Sequence, residues 1–263
     1  MSFKHIISRD NPVFKQLKRI AENTRDRKRE GVTLLDGVHL IEAYIQIFGE
    51  PELLIIPEGK STHEAIALVQ QLQEVNTVMF PTLMFSELTP VATSTGILAL
   101  VKVPALQLQE QISFALMVED IQDPGNLGSI LRTAAAAGVQ VVYLSKGCTD
   151  AWSPKALRGG QGAQFVLPIV SDVDLAQVVQ TFDGLSYALA MHGESLYQQD
   201  LNAACLFIVG NEGAGISSSL LTSVSKVVSI PMAQSSVLAV ESLNAAAATA
   251  IALFECRRQK LLA

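Results

Sequence analysis

Residues Glu119 to Gly138, EDIQDPGNLGSILRTAAAAG, decide how the second half of the chain reads. An apolar run, Ile112 to Val118, stops where this stretch begins. Asp123-Pro124-Gly125 cannot continue a strand, and an Ala-rich segment follows, closed by Gly138. The pattern predicts strand, loop and helix, with Asn126 as the N-cap and Gly138 as the left-handed residue that ends the helix. In an open parallel sheet, loops leaving the carboxyl ends of strands line the ligand crevice, so this loop and Arg132 on the helix behind it are candidate site residues. Taken alone, the stretch reads equally well as a tight turn before a core helix.

Two later stretches repeat the design. LFIVGNEGAGIS (Leu206 to Ser217) runs from a strand into a glycine loop, and SIPMAQSSVLAVESLNAAAATAIALFE (Ser229 to Glu255) runs from a short strand through a long loop into an Ala-rich helix. Glycines after a buried strand let a ligand approach the backbone. The spacing of Gly210, Gly213 and Gly215 matches neither a dinucleotide fingerprint nor a P-loop. Together the three loops, across residues 112 to 258, resemble the motifs of the SpoU or TrmH family of RNA ribose 2'-O-methyltransferases, within the SPOUT class.

That resemblance implies an α/β SPOUT domain with a C-terminal trefoil knot, a feature that chain topology alone would argue against because knots are rare. It implies S-adenosylmethionine as cofactor and a ribose 2'-hydroxyl of structured RNA as substrate, ribosomal RNA ahead of tRNA. Asn126 and Arg132 match the first motif. Gly210 matches the position at the adenosyl group, and Glu212 the residue that structures the active site. Ile230, Met232 and Leu243 match positions whose backbone holds the cofactor, and Ser242 and Asn244 match side-chain hydrogen-bonding positions. Gly193, in Ala190-Met191-His192-Gly193, falls in a stretch that resembles a cofactor-side loop, where His192 reads as structural. The chain departs from the family in three places: Ala233-Gln234-Ser235-Ser236 replaces a usual glycine after Pro231-Met232, the loop to Ser242 is longer, and Ala246 stands where serine is frequent.

The arginine's chemistry stays open at this level. A guanidinium is effectively always protonated, so a base role needs a site that favours the neutral form; a charged Arg132 could instead hold the target phosphate and stabilise a developing alkoxide. On pKa grounds the second role is preferred.

Composition sets the frame. A chain of 263 residues, 49% hydrophobic and 17% charged, has material for one large or two ordinary domains. No apolar run reaches the eighteen or so residues of a membrane span, and charges stand where a signal peptide needs apolar residues, so a cytoplasmic location is expected. Cys148, Cys205 and Cys256 read as buried free thiols, and neither they nor the four histidines show metal-ligand spacing, so no metal is expected. Residues 1 to 31 hold nine Lys or Arg against four acids, a net +5 on a chain whose total is −6. Such asymmetry reads as a phosphate-binding arm on an acidic body, with Lys15, Lys18, Arg19 and Arg27 as RNA contacts, or as an ordinary solvated helix face. Lys155 and Arg158, three apart after the helix start Ser153-Pro154, are further RNA candidates.

Along the first hundred residues, strands at 33–36, 53–57, 77–80 and 96–103 alternate with helices from Asn11-Pro12 and at 37–48, 62–72 and near Ser86. LLDGVHLIEAYI (Leu34 to Ile45) resembles the family's L30-like α/β substrate-binding domain. The domains expected are 1–103 for RNA recognition, 104–111 as linker and 112–263 for methyl transfer, with strands at 139–144, 164–169, 186–190, 206–209 and 227–230 and helices at 127–137, 153–159, 173–182, 217–223 and 237–257. A homodimer through the helix starting near Val237 is expected from its run of alanines and from the family. The rivals are a non-catalytic RNA-binding or ribosome-assembly protein on the same fold, and a nucleotide-dependent oxidoreductase, which the missing dinucleotide fingerprint disfavours.

Overall fold

The computed structural model describes residues 3–59, 61–89, 94–233 and 242–262. The chain packs as two units, the first made of residues Met1–Ala105 and Asp150–Phe165, the second of Leu106–Thr149 and Val166–Ala263. The first boundary falls inside the segment read as a linker. Residues 150–165, read as part of the methyl-transfer domain, pack instead with the first unit.

In the first unit, β1 (Lys4–His5), β2 (Val32–Asp36), β3 (Leu53–Pro57), β4 (Thr77–Phe80) and β5 (Leu98–Lys102) form one sheet in the order β1-β4-β3-β5-β2. β5 runs antiparallel to β2 and β3, and the other pairs are parallel. The sheet is covered on both faces, which is why β2 is buried at all five positions. Helix α1 (Pro12–Glu22) begins with Pro12 behind Asn11, whose side chain accepts the Val13 N–H, and buries Phe14, Leu17 and Ile20. The basic stretch after it forms a second helix, α2 (Thr24–Glu30), beyond the one helix that the sequence predicts from Asn11-Pro12. Asn23 ends α1 and caps α2, and Gly31 closes α2 at φ 65°. Helices α3 (Val38–Phe48), α4 (His63–Gln71) and α5 (Thr82–Ser86) lie where expected to within a residue or so.

The second unit is a six-stranded parallel sheet. β6 (Phe114–Val118) and helix α6 (Pro124–Ala137) lead to β7 (Val141–Ser145). After Thr149 the chain enters the first unit, where α7 (Pro154–Gly160) and a single 3-10 turn, Ala163–Phe165, lie. The strand expected at 164–169 is therefore absent; β8 spans Ile169–Val173. The reason is packing: Gln164 is fully buried, its amide donating to the Ala151 and Ala156 carbonyls, and Phe165 meets Tyr44 edge-on at 5.5 Å. Alternating apolar residues here plug a core and pair with no strand.

The rest of the unit comprises α8 (Leu175–Thr181), β9 (Leu185–Ser195), β10 (Cys205–Val209), α9 (Ser218–Leu221), β11 (Lys226–Ser229) and α10 (Ala245–Leu262). The strand order is β11-β9-β10-β6-β7-β8. From β6 the chain winds outward to β7 and β8, then returns on the other side of β6 with β9 and β10. The carboxyl ends of β6 and β10 thus flank the point where winding reverses, the usual crevice of such sheets. β6 and β10 are buried at every position, as central strands covered on both faces must be.

Candidate functional site

The first loop differs from its sequence reading in one informative respect. Asp123 is the N-cap of α6, accepting the Asn126 N–H at 2.8 Å, with Pro124 as first helical residue; Asn126 lies inside the first turn. Gly138 ends the helix at φ 85°, as expected. Because Asp123 satisfies the backbone, the Asn126 side chain is free for other partners. Its Nδ2 donates to Glu212 Oε1 at 3.0 Å, and its Oδ1 accepts from Asn244 Nδ2 at 3.2 Å. One residue from each motif, at positions 126, 212 and 244, therefore joins a single hydrogen-bonded line.

Glu212 carries the charge of that line. Partial burial pushes its carboxyl up, but donation from Asn126, from its own backbone N–H and from those of Gln122 and Asp123 outweighs this, so its pKa lies below the ordinary glutamate value. The carboxylate is ionised at neutral pH.

Gly210 to Gly215 fold back on themselves, with Asn211 and Gly215 exchanging both backbone hydrogen bonds at 3.0 and 2.9 Å. A Cβ on Gly210 would lie 2.3 Å from the Gly215 carbonyl, so this glycine is required by loop closure, quite apart from any ligand. The loop's far end is held by Glu119, whose carboxylate accepts the Ser217 N–H and hydroxyl, each at 2.7 Å.

Against this loop opens a cavity of about 460 Å³. Among the predicted cofactor positions, Gly210, Ile230, Met232 and Leu243 line it, as do Glu212 and Ser242. Gly193 does not. It sits within β9, which runs on to Ser195 beyond the end expected at Ala190, and its Cβ would lie 2.4 Å from the Val227 carbonyl. Glycine there lets β11 approach. Between Ala188 and Glu194, β9 bulges while β11 advances by one residue, and the bulged Leu189, Ala190, Met191 and His192 form a wall of the cavity. His192, expected to be structural, lies in that wall. Helix α10 begins at Ala245, with Asn244 Oδ1 accepting the Ala246 and Ala247 N–H groups as an N-cap, so residues 242–244 stand before the helix expected from Val237. Residues 237–241 of that expected helix, and most of the Pro231 to Ser242 loop, lie outside the described residues.

The donor set fits a molecule with an adenosyl group and a sulfonium: apolar walls from Leu189, Ile216 and Leu221, backbone groups along Gly210–Gly215, and an ionised carboxylate at one side. No group of three or more His, Cys, Asp or Glu among the described residues could hold a metal ion.

The remaining predicted residues scatter. Arg132 is exposed on α6, outside the cavity lining and 600° of helical turn from Asn126, hence on another face. In the first unit Lys15 pairs with Asp10 and Lys18 with Glu87, each at 2.8 Å, while Arg19, Lys155 and Arg158 are exposed. Arg27 is a correction. It is 4% exposed, its Nε donating to Asp150 at 2.7 Å and its terminal nitrogens to the Ile20 and Ala21 carbonyls and Thr24, so it is an internal strut with no face for RNA. Sequence reasoning missed this because a buried arginine and a surface one look alike in a basic helix.

A family model described as the SpoU rRNA Methylase family matches residues 113–254. The chain is 32% identical to an uncharacterized tRNA/rRNA methyltransferase of Synechocystis, over 97% of this chain and 94% of that one. It is 31% identical to the 23S rRNA (guanosine(2553)-2'-O)-methyltransferase RlmP of Bacillus subtilis, over 97% and 99%. Among solved structures, the SpoU methyltransferase AviRb from Streptomyces viridochromogenes, in complex with AdoMet, superposes with a TM-score of 0.83 at 26% identity, covering 95% of this chain and 98% of that one. With one residue from each of its three motifs joined in a single hydrogen-bonded line and its sequence matched along nearly its whole length, the chain belongs to the SpoU rRNA methylase family.

Proposed function

We propose that the protein methylates a ribose 2'-hydroxyl of ribosomal RNA, with S-adenosylmethionine held in the cavity of the second unit. Membership of the family makes it an RNA methyltransferase; the cofactor, the 2'-oxygen and the ribosomal substrate are supported by relatives named for them. The observation that carries the reading is the line Glu212–Asn126–Asn244 beside a cavity lined by Gly210, Ile230, Met232 and Leu243. Bound there, S-adenosylmethionine supplies an electrophilic methyl group. The chain's part is to orient and exclude: the Gly210–Gly215 backbone and the β9 bulge would hold the cofactor, and Glu212, kept ionised, would offer a negative charge to a cationic ligand. Arg132, cationic and exposed, fits a contact to the target's phosphate that steadies the 2'-oxygen as it gains charge, its proton leaving to water. Ser242, in the cavity lining, can add a side-chain polar contact, and Asn244 acts through its bond to Asn126.

The first unit is assigned to RNA recognition, with Lys15, Lys18 and Arg19 on α1 and Lys155 and Arg158 on α7 as phosphate contacts. A homodimer through α10 belongs to the same reading: Phe254, Leu261 and Leu262 on that helix are 46%, 69% and 76% exposed, an apolar surface that a second copy would cover. The knot expected of the family and a cytoplasmic location go with it.

The test is methyl transfer from tritiated S-adenosylmethionine to ribosomal RNA from a strain lacking the gene, with ribose-methylation mapping of the product. Label in one ribosomal 2'-O-methyl position is the expected result. Label only in tRNA would move the substrate. RNA binding with no calorimetric signal for the cofactor would favour the non-catalytic assembly protein instead, and light scattering that gives a fully active monomer would remove the dimer.

A further inference from the structure

Asn211 stands between the two halves of the site. Its Oδ1 accepts the Gly213 and Ala214 N–H groups, both at 2.9 Å, which turns the loop along the cavity. Its Nδ2 donates at 2.7 Å to the carbonyl of Asp120. Asp120 is an unusual acceptor, since it holds a left-handed φ of 54° and its N–H is fixed by Ser145 Oγ at 2.9 Å. Left-handed backbone at a non-glycine residue persists only where the surroundings enforce it. Two and three residues on, Gln122 and Asp123 direct their N–H groups at the Glu212 carboxylate at 3.4 and 3.5 Å, and Asn126 follows.

We propose that Asn211 is a positioning residue: by fastening the cavity loop to the Asp120 carbonyl it sets Glu212 opposite Asn126, making the cofactor loop and the polar line one unit. An asparagine side chain suits the place, because its oxygen accepts the two loop N–H groups while a separate atom, its nitrogen, donates to the Asp120 carbonyl. Aspartate keeps the acceptors but turns a carboxylate toward a carbonyl, and alanine loses all three bonds. The inference rests on the methyltransferase reading for its kinetic consequence, though its structural consequence is independent of it.

The experiment is a double-mutant cycle between Asn211→Ala and Asn126→Ala, read by single-turnover methylation, together with the Asn126 side-chain amide signals in NMR spectra of the free protein. Each single variant is expected to lose at least about tenfold in rate, the worth of one hydrogen bond. The double variant should lose little more than one of them, because both remove the same register. The Asn126 amide signals should shift in Asn211→Ala. Losses that multiply to about a hundredfold, or amide signals that do not move, would overturn the proposal. Should Asn211→Ala fail to fold, Asn211→Ser, which keeps an acceptor for Gly213, takes its place in both arms. A parent protein that binds no S-adenosylmethionine in calorimetry would sink the methyltransferase reading alone, and the NMR arm would still decide Asn211.

Discussion

Arg27→Ala tests whether the basic arm is an interaction surface or part of a core. The guanidinium makes four polar contacts at 2.6 to 3.1 Å while its side chain and that of Asp150 are only 4% and 7% exposed. Truncation leaves Asp150, among the described residues, with the Trp152 N–H at 2.9 Å, and strands the Ile20 and Ala21 carbonyls. Breaking a buried pair by removing one partner costs about 3–5 kcal/mol, because a charge stays buried without its counter-charge. For a unit of roughly 120 residues this corresponds to a fall in Tm of about 12–20 °C. Trp152, the chain's only tryptophan, lies two residues from Asp150, and its carbonyl accepts the Thr33 hydroxyl at 2.6 Å, so its fluorescence reports on this junction. Thermal melts followed at that tryptophan should show the drop, and Arg27→Lys should restore little of it, since lysine lacks the fork that reaches four acceptors. Adding Asp150→Ala should recover part of the loss, as the stranded charge is then gone. A variant melting within a degree or two of the parent, but with weaker RNA binding and a flatter salt dependence, would refute the strut and return Arg27 to the RNA surface.

Deleting residues 1–31 is not a clean probe of the arm, because Phe14, Leu17 and Ile20 are core residues; neutralising the exposed Lys15, Arg19 and Arg25 to Gln should instead lower the slope of log affinity against log salt by roughly 2, with Tm unchanged. An unaltered slope in filter binding would place the RNA elsewhere. Gly210→Ala forces a Cβ to within 2.3 Å of the Gly215 carbonyl, so calorimetry should show cofactor affinity reduced at least tenfold; parental affinity would mean the loop can reopen at no cost. Arg132→Ala should abolish turnover while leaving cofactor affinity as in the parent, since Arg132 lies outside the cavity lining, and Arg132→Lys should fail nearly as badly for want of the planar fork. Single-turnover rates near the parent's for the alanine variant would remove it from the chemistry. Glu212, whose pKa is depressed, stabilises its loop above the ordinary glutamate range and loses that contribution as pH falls through its lowered value; cofactor affinity should therefore decline in acid in the parent and stay flatter in Glu212→Gln.

The sequence by itself determined the alternation of strands and helices, the three loops and the residues within them, because each rests on local chemistry: Pro124 and Gly138 punctuate a helix wherever they occur, and buried parallel strands such as Phe114–Val118 are uniformly apolar. It placed Gly210, Ile230, Met232 and Leu243 together through likeness to a family, and the fold gathers them around one cavity. What it could not give are matters of distance. Asn126 looked like a cap until Asp123 was seen to take that role, which freed its amide for Glu212, 86 residues away. Arg27 looked like an RNA contact until Asp150, 123 residues on, was found against it. Gln164–Ile169 looked like a strand until Phe165 was seen packed among the first unit's aromatic rings. Gly193 looked like a cofactor glycine, but the neighbour that demands it is Val227. In each case the residue's own propensity is satisfied by more than one partner. Which partner it meets is set by burial of the whole chain, and that choice exists only once distant segments share a core.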